Sequence, residues 1–348
     1  MQPGALAAIF VNETEEGTVM NATGLKRYVW KLAVCSTLLG AAPAWAQMEI
    51  KLGHVLAPTH SWNQAAEGFA ADVKQQTSGR VNFVVFPSGQ LGNEKTMLEG
   101  MQIGSVGAGV IGTGSLQPFD PKFGVVEMPY AWPTQQAAYR ALDGDLGAAL
   151  AKLAESKNLI VLSWWENGYR HITNNRGPIR TPADLKGLKI RVTPDKVRLD
   201  TFTALGASPA PLAFGELYSA LQQGVFDAQE NPLSIIYTSS FFEVQKYLSL
   251  SGHVWGAASL IVSKPIWNKV SPEDRIVVLA AASKWRDTQR KMVQDSDDDF
   301  VAKLKAKGMT FNAVDKAAFV KAVEPVWQAY EPVFGAELLG LVKKYRNP

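Results

Sequence analysis

Hydrophobic positions along the chain switch repeatedly between a strand-like and a helix-like period, a pattern that predicts an α/β class with parallel sheet. Met48-Glu49-Ile50-Lys51-Leu52 alternates apolar and polar residues and runs into Gly53-His54 as a first strand. Trp62, Ala65, Ala66, Phe69, Ala70 and Val73 then recur at helical spacing, with Gly79 as the stop. Residues 80–86 read as a second strand, and "QLGNEKTMLEGMQIG" opens a second helix. The stretch "LIVLSWW", 159–165, is apolar throughout but for Ser163, as a parallel strand covered on both faces would be. "TPADLKG" has the marks of a short capped helix: Thr181 at the cap, Pro182 at the first helical position, Asp184 closing the box. It leads into "GLKIRVTP", 187–194, where Ile190 and Val192 alternate with Lys189, Arg191 and Thr193, so one face carries both cations. Helices follow near 195–205 and 216–223, then the strand-like "ASLIVS". From Ser271-Pro272-Glu273 onward no Gly or Pro interrupts until Gly308. Some 35 residues at 1.5 Å each make a rod of about 50 Å, longer than one domain is wide, so this helix should brace two lobes around a cleft.

The N-terminal pattern is of another kind. Residues 20–46 carry a basic region (Lys26, Arg27, Lys31), a short apolar core from Leu32 to Ala42, and Ala44-x-Ala46, the layout of a cleavable secretory signal with cleavage before Gln47. The apolar run falls short of the ~20 residues a spanning helix needs. Residues 1–19 fit no part of a signal and are set aside. Cleavage leaves 348 − 46 = 302 residues, enough for two domains of ~150 each. The single cysteine, Cys35, leaves with the signal, so the mature chain has no disulfide, thiolate metal site or cysteine nucleophile. A net charge of +3 with both signs mixed along the chain gives no nucleic-acid surface.

Several motifs fail on context. Gly107-Ala-Gly109-Val-Ile-Gly112 matches a dinucleotide fingerprint, but it follows a helix-like stretch, and "TGSLQPFDP" after it cannot open a long helix. Asp295, Asp297 and Asp299 mimic the start of a calcium loop whose sixth and twelfth positions are Phe300 and Ala306, so they read as a solvated helix face. His54, His60, His171 and His253 show no metal-ligand spacing, and no G-x-S-x-G elbow is present. The expectation is a protein without cofactor or metal, and not an enzyme. The arginines stand apart. "WWENGYRHITNN" places Arg170 in a polar loop just after a buried strand, Arg191 lies 191 − 170 = 21 residues on, and "DAQENP" puts Asn231 in a polar turn. Two guanidiniums converging with an amide would clamp a carboxylate in one plane. Solvated or ion-paired surface arginines remain the alternative at this point.

Taken in order, "PSGQLGNEKTMLEGMQIG", "TPADLKGLKIRV", "LGASPAPLAFGELYSALQQGVFDAQENP" and "FFEVQKYLSLSGH" resemble the solute-binding proteins of tripartite ATP-independent periplasmic (TRAP) transporters, DctP type. The resemblance covers essentially the whole mature chain. It implies a two-domain periplasmic-binding-protein-like α/β fold with hinge strands and a long helix spanning both domains. The expected division is 47–168 with about 257–296 for domain I, about 169–256 with 297–330 for domain II, and a C-terminal helix at 331–348. The resemblance further implies closure around an organic acid in the periplasm, with Arg191 as the carboxylate-binding arginine and Arg170, Asn231 and Phe214 beside it. Across the cleft it implies His54 after the first strand, Glu94 after "QLG", and a wall near Gly112 and Thr113. Some members carry an acidic side chain at that wall, and its absence here argues against an amino-sugar acid. Trp62, Trp164 and Trp165 are candidate walls or core residues, with Trp165 taken as a wall. Hydroxyl-bonding by His54 and Glu94 favours a sugar acid such as a uronate or aldonate. An aromatic or short aliphatic monocarboxylate, a C4-dicarboxylate, or a periplasmic sensor on the same scaffold stay open. The implied partners are a small-molecule carboxylate and the TRAP membrane subunits, a small DctQ-type and a large DctM-type, with the protein itself a monomer.

Overall fold

The computed structural model describes residues 47–346, so the signal read into 20–46 and the extension before it lie outside the described residues. Nine strands among these residues form one mixed sheet: β1 (Met48–Gly53), β2 (Val81–Phe86), β3 (Ala108–Gly112), β4 (Leu159–Asn174), β5 (Lys189–Val192), β6 (Ser208–Pro211), β7 (Ala228–Asn231), β8 (Tyr247–Ser263) and β9 (Thr310–Ala313). Their order is β2-β1-β3-β8-β4-β7-β5-β6, with β9 added to β8. Two parallel triplets, β2-β1-β3 and β6-β5-β7, share one winding: the first strand in the chain sits in the middle of each. Between them run β4 and β8, antiparallel to each other over nearly their whole length. The later part of β8 (258–262) pairs with β3, while the end of β4 (171–174) pairs with β7. Two α/β lobes therefore share two crossing strands, and the chain passes between them there.

Adjacent residues on the strands face different cores. Val110, Trp165 and Leu260 join one apolar cluster, and Ile111, Trp164 and Ile261 join the other. Helices cover both faces, which is why "LIVLSWW" is apolar at every position but Ser163 although β4 pairs antiparallel rather than parallel. One face is braced by the helix Pro272–Ala306, 35 residues long, with Ser271 as N-cap accepting from the Asp274 N–H. It packs on β4 and on helices Ser61–Gln76 and Leu233–Thr238, one from each lobe. Along it Asp295 and Asp299 pair with Lys291 and Lys303, the arrangement of a solvated helix face. The opposite face is braced by Glu324–Arg346, which starts before the expected 331. It kinks where Pro332 removes a donor and Gly335 takes φ 73°. "TPADLKG" forms a single 3₁₀ turn, Pro182–Leu185, with the Asp184 carboxylate accepting from the Thr181 and Arg180 N–H groups. Gly107, Gly109 and Gly112 lie in and beside β3, followed by the 3₁₀ turn Thr113–Leu116, with no helix at the point where a fingerprint needs one. No helix among the described residues is long and apolar enough to cross a membrane.

The crossing strands are irregular where they pass between the lobes. The register slips between Glu166 and Gly168, leaving Asn167 as the extra residue of a bulge. Gly168 has φ 117°, and a Cβ there would stand 3.2 Å from Pro232. Glu166 is clasped at this point. Its N–H donates to Gln289 Oε1 (2.9 Å), and its carbonyl accepts from Gln289 Nε2 (2.9 Å) and Trp62 Nε1 (3.0 Å). Its carboxyl accepts from Trp255 Nε1 (2.9 Å), Gln135 Nε2 (3.0 Å) and the Tyr139 hydroxyl. Burial outweighs those hydrogen bonds and pushes the Glu166 carboxyl up from 4.5 to about 7. The folded chain thus keeps a proton that the unfolded chain loses. This contribution is complete below about pH 4.5, declines as pH rises toward 7, and is flat beyond, for a total of up to about 3 kcal/mol. Denaturant titrations at pH 5 and 7.5 should show Glu166→Gln losing less stability across that interval than the parent. An identical loss in both proteins would assign the titration elsewhere.

Candidate functional site

Between the two lobes lies a cavity with about 450 Å³ of space among its lining atoms, part of it open to solvent. One side is built from Val55, Leu56, Trp62, Glu94, the turn after β3 and Glu127; the other from Arg191, Thr193, Arg198, Phe214, Asn231 and Ile235. Asn167, Arg170 and Ala257 of the crossing strands line it between them. A second, larger chamber of about 650 Å³, also partly open to solvent, adjoins it along Glu94, Arg191 and Phe214 and reaches Asn93, Lys95 and Pro118.

Arg191 sits on the short strand β5, whose burial pattern explains the mixed character of its sequence: Lys189 is exposed, while Ile190, Arg191 and Val192 are buried. Arg191 as a whole is only 2% exposed. Its Nε and Nη2 both donate to the Leu212 carbonyl, at 2.9 and 2.6 Å, and its guanidinium carbon lies 6.0 Å from the centre of the Phe214 ring. Among the described residues no carboxylate forms a salt bridge with it, and nothing accepts from Nη1. The Nε–Nη2 edge is thus taken up by the Leu212 carbonyl, while the Nη1–Nη2 edge, which can also meet a carboxylate two-pronged, has no carboxylate on it among the described residues. Burial pulls the Arg191 guanidinium down from its ordinary value to about 10, only partly offset by the field of Glu230. Its charge, still complete at neutral pH, is therefore disfavoured by roughly 3 kcal/mol.

The other two arginines of the cavity are compensated from within. Arg170 grips Glu230 through Nε (2.5 Å) and Nη2 (2.8 Å), and the same Nη2 reaches Asn231 Oδ1 at 2.9 Å. Arg198 meets Glu230 (3.2 Å), Asp195 (3.3 Å) and Glu127. Burial by itself would raise the Glu230 carboxyl, but Arg170, Arg198 and a hydrogen bond from His253 hold it well below the usual carboxylate range. Burial pushes the Glu127 and Asp195 carboxyls up against the opposing pull of Arg198.

The cavity gathers six of the eight expected residues: Arg191, Arg170, Asn231, Phe214, Glu94 and Thr113. Arg170 lies within strand β4 rather than in a loop after it, and Asn231 closes strand β7 rather than occupying a turn. Two residues sit elsewhere. His54 is fully buried behind the wall, its Nε2 on Asn63 Oδ1 (3.1 Å) and its Nδ1 accepting from the Leu56 N–H (3.3 Å). It braces the loop while Val55 and Leu56 face the cavity. Trp165 belongs to the apolar core, its indole donating to Ser163 Oγ at 3.0 Å, and Trp164 to the core on the other face. Trp62 is the tryptophan that lines the cavity. The wall near Thr113 has no acid in its own sequence, yet Glu127 supplies one in space, accepting from the Thr113 hydroxyl. Glu127, Arg198 and Glu230 escaped sequence reasoning. Asp195 and Arg198 did carry a signal, the i, i+3 pair of a capped first turn in "PDKVR", whereas Glu127 ends an irregular 3₁₀ segment without one.

The family model "Bacterial extracellular solute-binding protein, family 7" (DctP) matches residues 52–332. The chain belongs to this family. Its members are the solute-binding proteins of TRAP transporters, a transport rather than an enzyme class. This DctP protein is 31% identical over 300 residues to the 2,3-diketo-L-gulonate-binding periplasmic protein YiaO of Escherichia coli K12, covering 86% of this chain and 92% of that one. A solved TRAP periplasmic solute-binding protein from Polaromonas sp. JS666, bound to D-erythronate, is 38% identical with a TM-score of 0.83, covering 85% of this chain and 98% of that one. The sugar acid binding protein of Advenella mimigardefordensis, in complex with galactonate, is 32% identical with a TM-score of 0.83, covering 86% and 98%.

Proposed function

We propose that this DctP protein captures a hydroxylated organic acid, a sugar acid such as a uronate or aldonate, in the periplasm and delivers it to the membrane subunits of a TRAP transporter. The observation that carries the reading is Arg191: a buried cation with no carboxylate partner among the described residues and a free two-pronged edge toward the cavity. A ligand carboxylate supplies the missing charge, and Phe214 closes over the pair. In an open cleft water would hydrate this guanidinium; in the closed cavity an acid must, so the acid stabilises closure selectively. Erythronate and galactonate in the related structures support the ligand class. Arg170 and Asn231, locked to each other and to Glu230, shape the floor beside Arg191.

The lobes that close are 47–168 with about 257–296, and about 169–256 with 297–330. The register of β4 and β8 supports the division, since each strand pairs with one triplet at one end and the other triplet at its other end. The protein acts by binding rather than catalysis, as a monomer exported by its cleaved signal, and hands its acid to DctQ-type and DctM-type subunits. A thermal-shift screen of the mature chain against a carboxylate library tests this. A specific acid at about 100 times its dissociation constant adds about 2.7 kcal/mol of apparent stability. A library of aldonates and uronates that leaves the melting curve in place would overturn the ligand class.

A further inference from the structure

We propose that Glu94 is the charge selector of the cavity: it admits an acid carrying one carboxylate, seated on Arg191, and turns away the diacid of the same carbon skeleton. The inference rests on carboxylate capture by Arg191. Glu94 is the first residue of the helix Glu94–Ile103, whose N-cap Asn93 accepts from the Thr96 N–H, so its backbone is fixed. Its side chain is held by the end of β3 and the turn after it, on the same side of the cavity. Oε1 accepts from the Gly112 N–H at 2.8 Å, and Oε2 accepts from the Ser115 hydroxyl. In this position it lines both the cavity and the chamber adjoining it, as Arg191 does. No salt bridge joins Glu94 to Arg191 among the described residues; each favours the other's charge only from a longer range, so the contact position on the guanidinium is not taken by Glu94.

The charges of the cavity leave room for one anion. Arg170 and Arg198 are met by three carboxylates, those of Glu230, Glu127 and Asp195, and of the three arginines Arg191 alone has no carboxylate in salt-bridge contact among the described residues. A second ligand carboxylate would find no free guanidinium and would meet Glu94 instead. Two carboxylates sharing such a site cannot both ionise without a large penalty. A hydroxyl there meets the opposite reception, since it donates to the carboxyl. Asn167, thrust out by the β4 bulge, adds to this preference: it lines the same cavity, and its buried side-chain oxygen has no donor among the described residues. Burial also pushes the Glu94 carboxyl up, which marks the site as one already reluctant to hold negative charge. Lys95 at the mouth does not reverse the balance, because it is solvent-exposed and pairs with Glu99.

Matched pairs of acids isolate this effect: galactonate against galactarate and erythronate against meso-tartrate, where one terminal CH₂OH becomes a carboxylate. Titration calorimetry on the mature protein at pH 7.5 should give binding at least about 100-fold weaker for the diacid of whichever pair is bound. Glu94→Gln should shrink that ratio to about tenfold or less by strengthening the diacid, with a smaller change for the monoacid. Equal binding of both members by the parent overturns the selector while leaving acid capture intact, and so does an unchanged ratio in a folded Glu94→Gln protein. If Glu94→Gln does not fold, the parent's ratio decides alone. Silence toward every monoacid and diacid overturns the capture reading itself, and the selector with it.

Discussion

Arg191→Ala should weaken binding of the captured acid by about 2–5 kcal/mol, the range for removing one partner of a buried charge pair. The same substitution should leave the ligand-free protein no less stable than the parent, or make it more so. These two results belong together. The guanidinium is enclosed without a carboxylate, and its burial disfavours the charge by roughly 3 kcal/mol before any ligand arrives. Removing it relieves that cost and loses two hydrogen bonds to a single carbonyl, Leu212 O, which water can replace. The acid loses its counter-ion in the same step. Arg191→Lys should also bind poorly, because an ammonium cannot hold Leu212 O and present a two-pronged edge at once. Calorimetry against the acid identified by screening, paired with denaturant melts of the free proteins, reads both halves. Near-parental affinity in either variant would refute the assignment, and a marked loss of ligand-free stability would make Arg191 a structural arginine.

How much of this was legible beforehand depended on whether the signal was local. The 35-residue brace announced itself through uninterrupted helical composition and a Ser-Pro-Glu start, and the structure caps it at Ser271 as read. Arg191 was placed in the cleft by the family resemblance; its strand alone left a solvated or ion-paired surface arginine open, and only the fold shows it buried with no carboxylate in salt-bridge contact among the described residues. The direction of β4 was not legible. A strand covered on both faces looks the same whether its neighbours run parallel or antiparallel, and only the pairing with β8 decides. Arg170 was misplaced into a loop for a related reason: "ENGYRH" is polar enough to end a strand, yet the Arg170 guanidinium is satisfied by Glu230 and Asn231, 60 and 61 residues on. His54 and Val55 exchange places through a single step at a strand end, which no spacing rule resolves. The acid near Thr113 came from Glu127, an irregular segment away, and only folding brings the two side chains together.

Glu230→Gln should destabilise the protein by about 3–5 kcal/mol, the cost of breaking a buried ion pair by removing one partner. Glu230 is fully buried and serves three groups at once: Arg170 in two-pronged contact, Arg198 at 3.2 Å and His253 at 3.1 Å. Glutamine keeps the shape but removes the charge. Arg198 retains Glu127 and Asp195, so the loss falls on Arg170, which keeps only the Asn231 amide and the Glu230-position backbone carbonyl. Two uncompensated guanidiniums would then share one cavity. A captured acid offsets part of that cost by neutralising whichever guanidinium it meets, so the ligand should stabilise Glu230→Gln by at least as much as it stabilises the parent. The pH dependence has a fixed sign. The carboxyl of Glu230 is held well below the ordinary range, so its contribution is complete at neutral pH and is lost as acid is added down through that depressed value. Denaturant melts at pH 7 and toward the acid limit should therefore show the difference between parent and Glu230→Gln narrowing as pH falls. A difference below about 1 kcal/mol at pH 7 would mean that the arginines find their compensation elsewhere, and that Arg191 is not the one unmatched charge in the cavity.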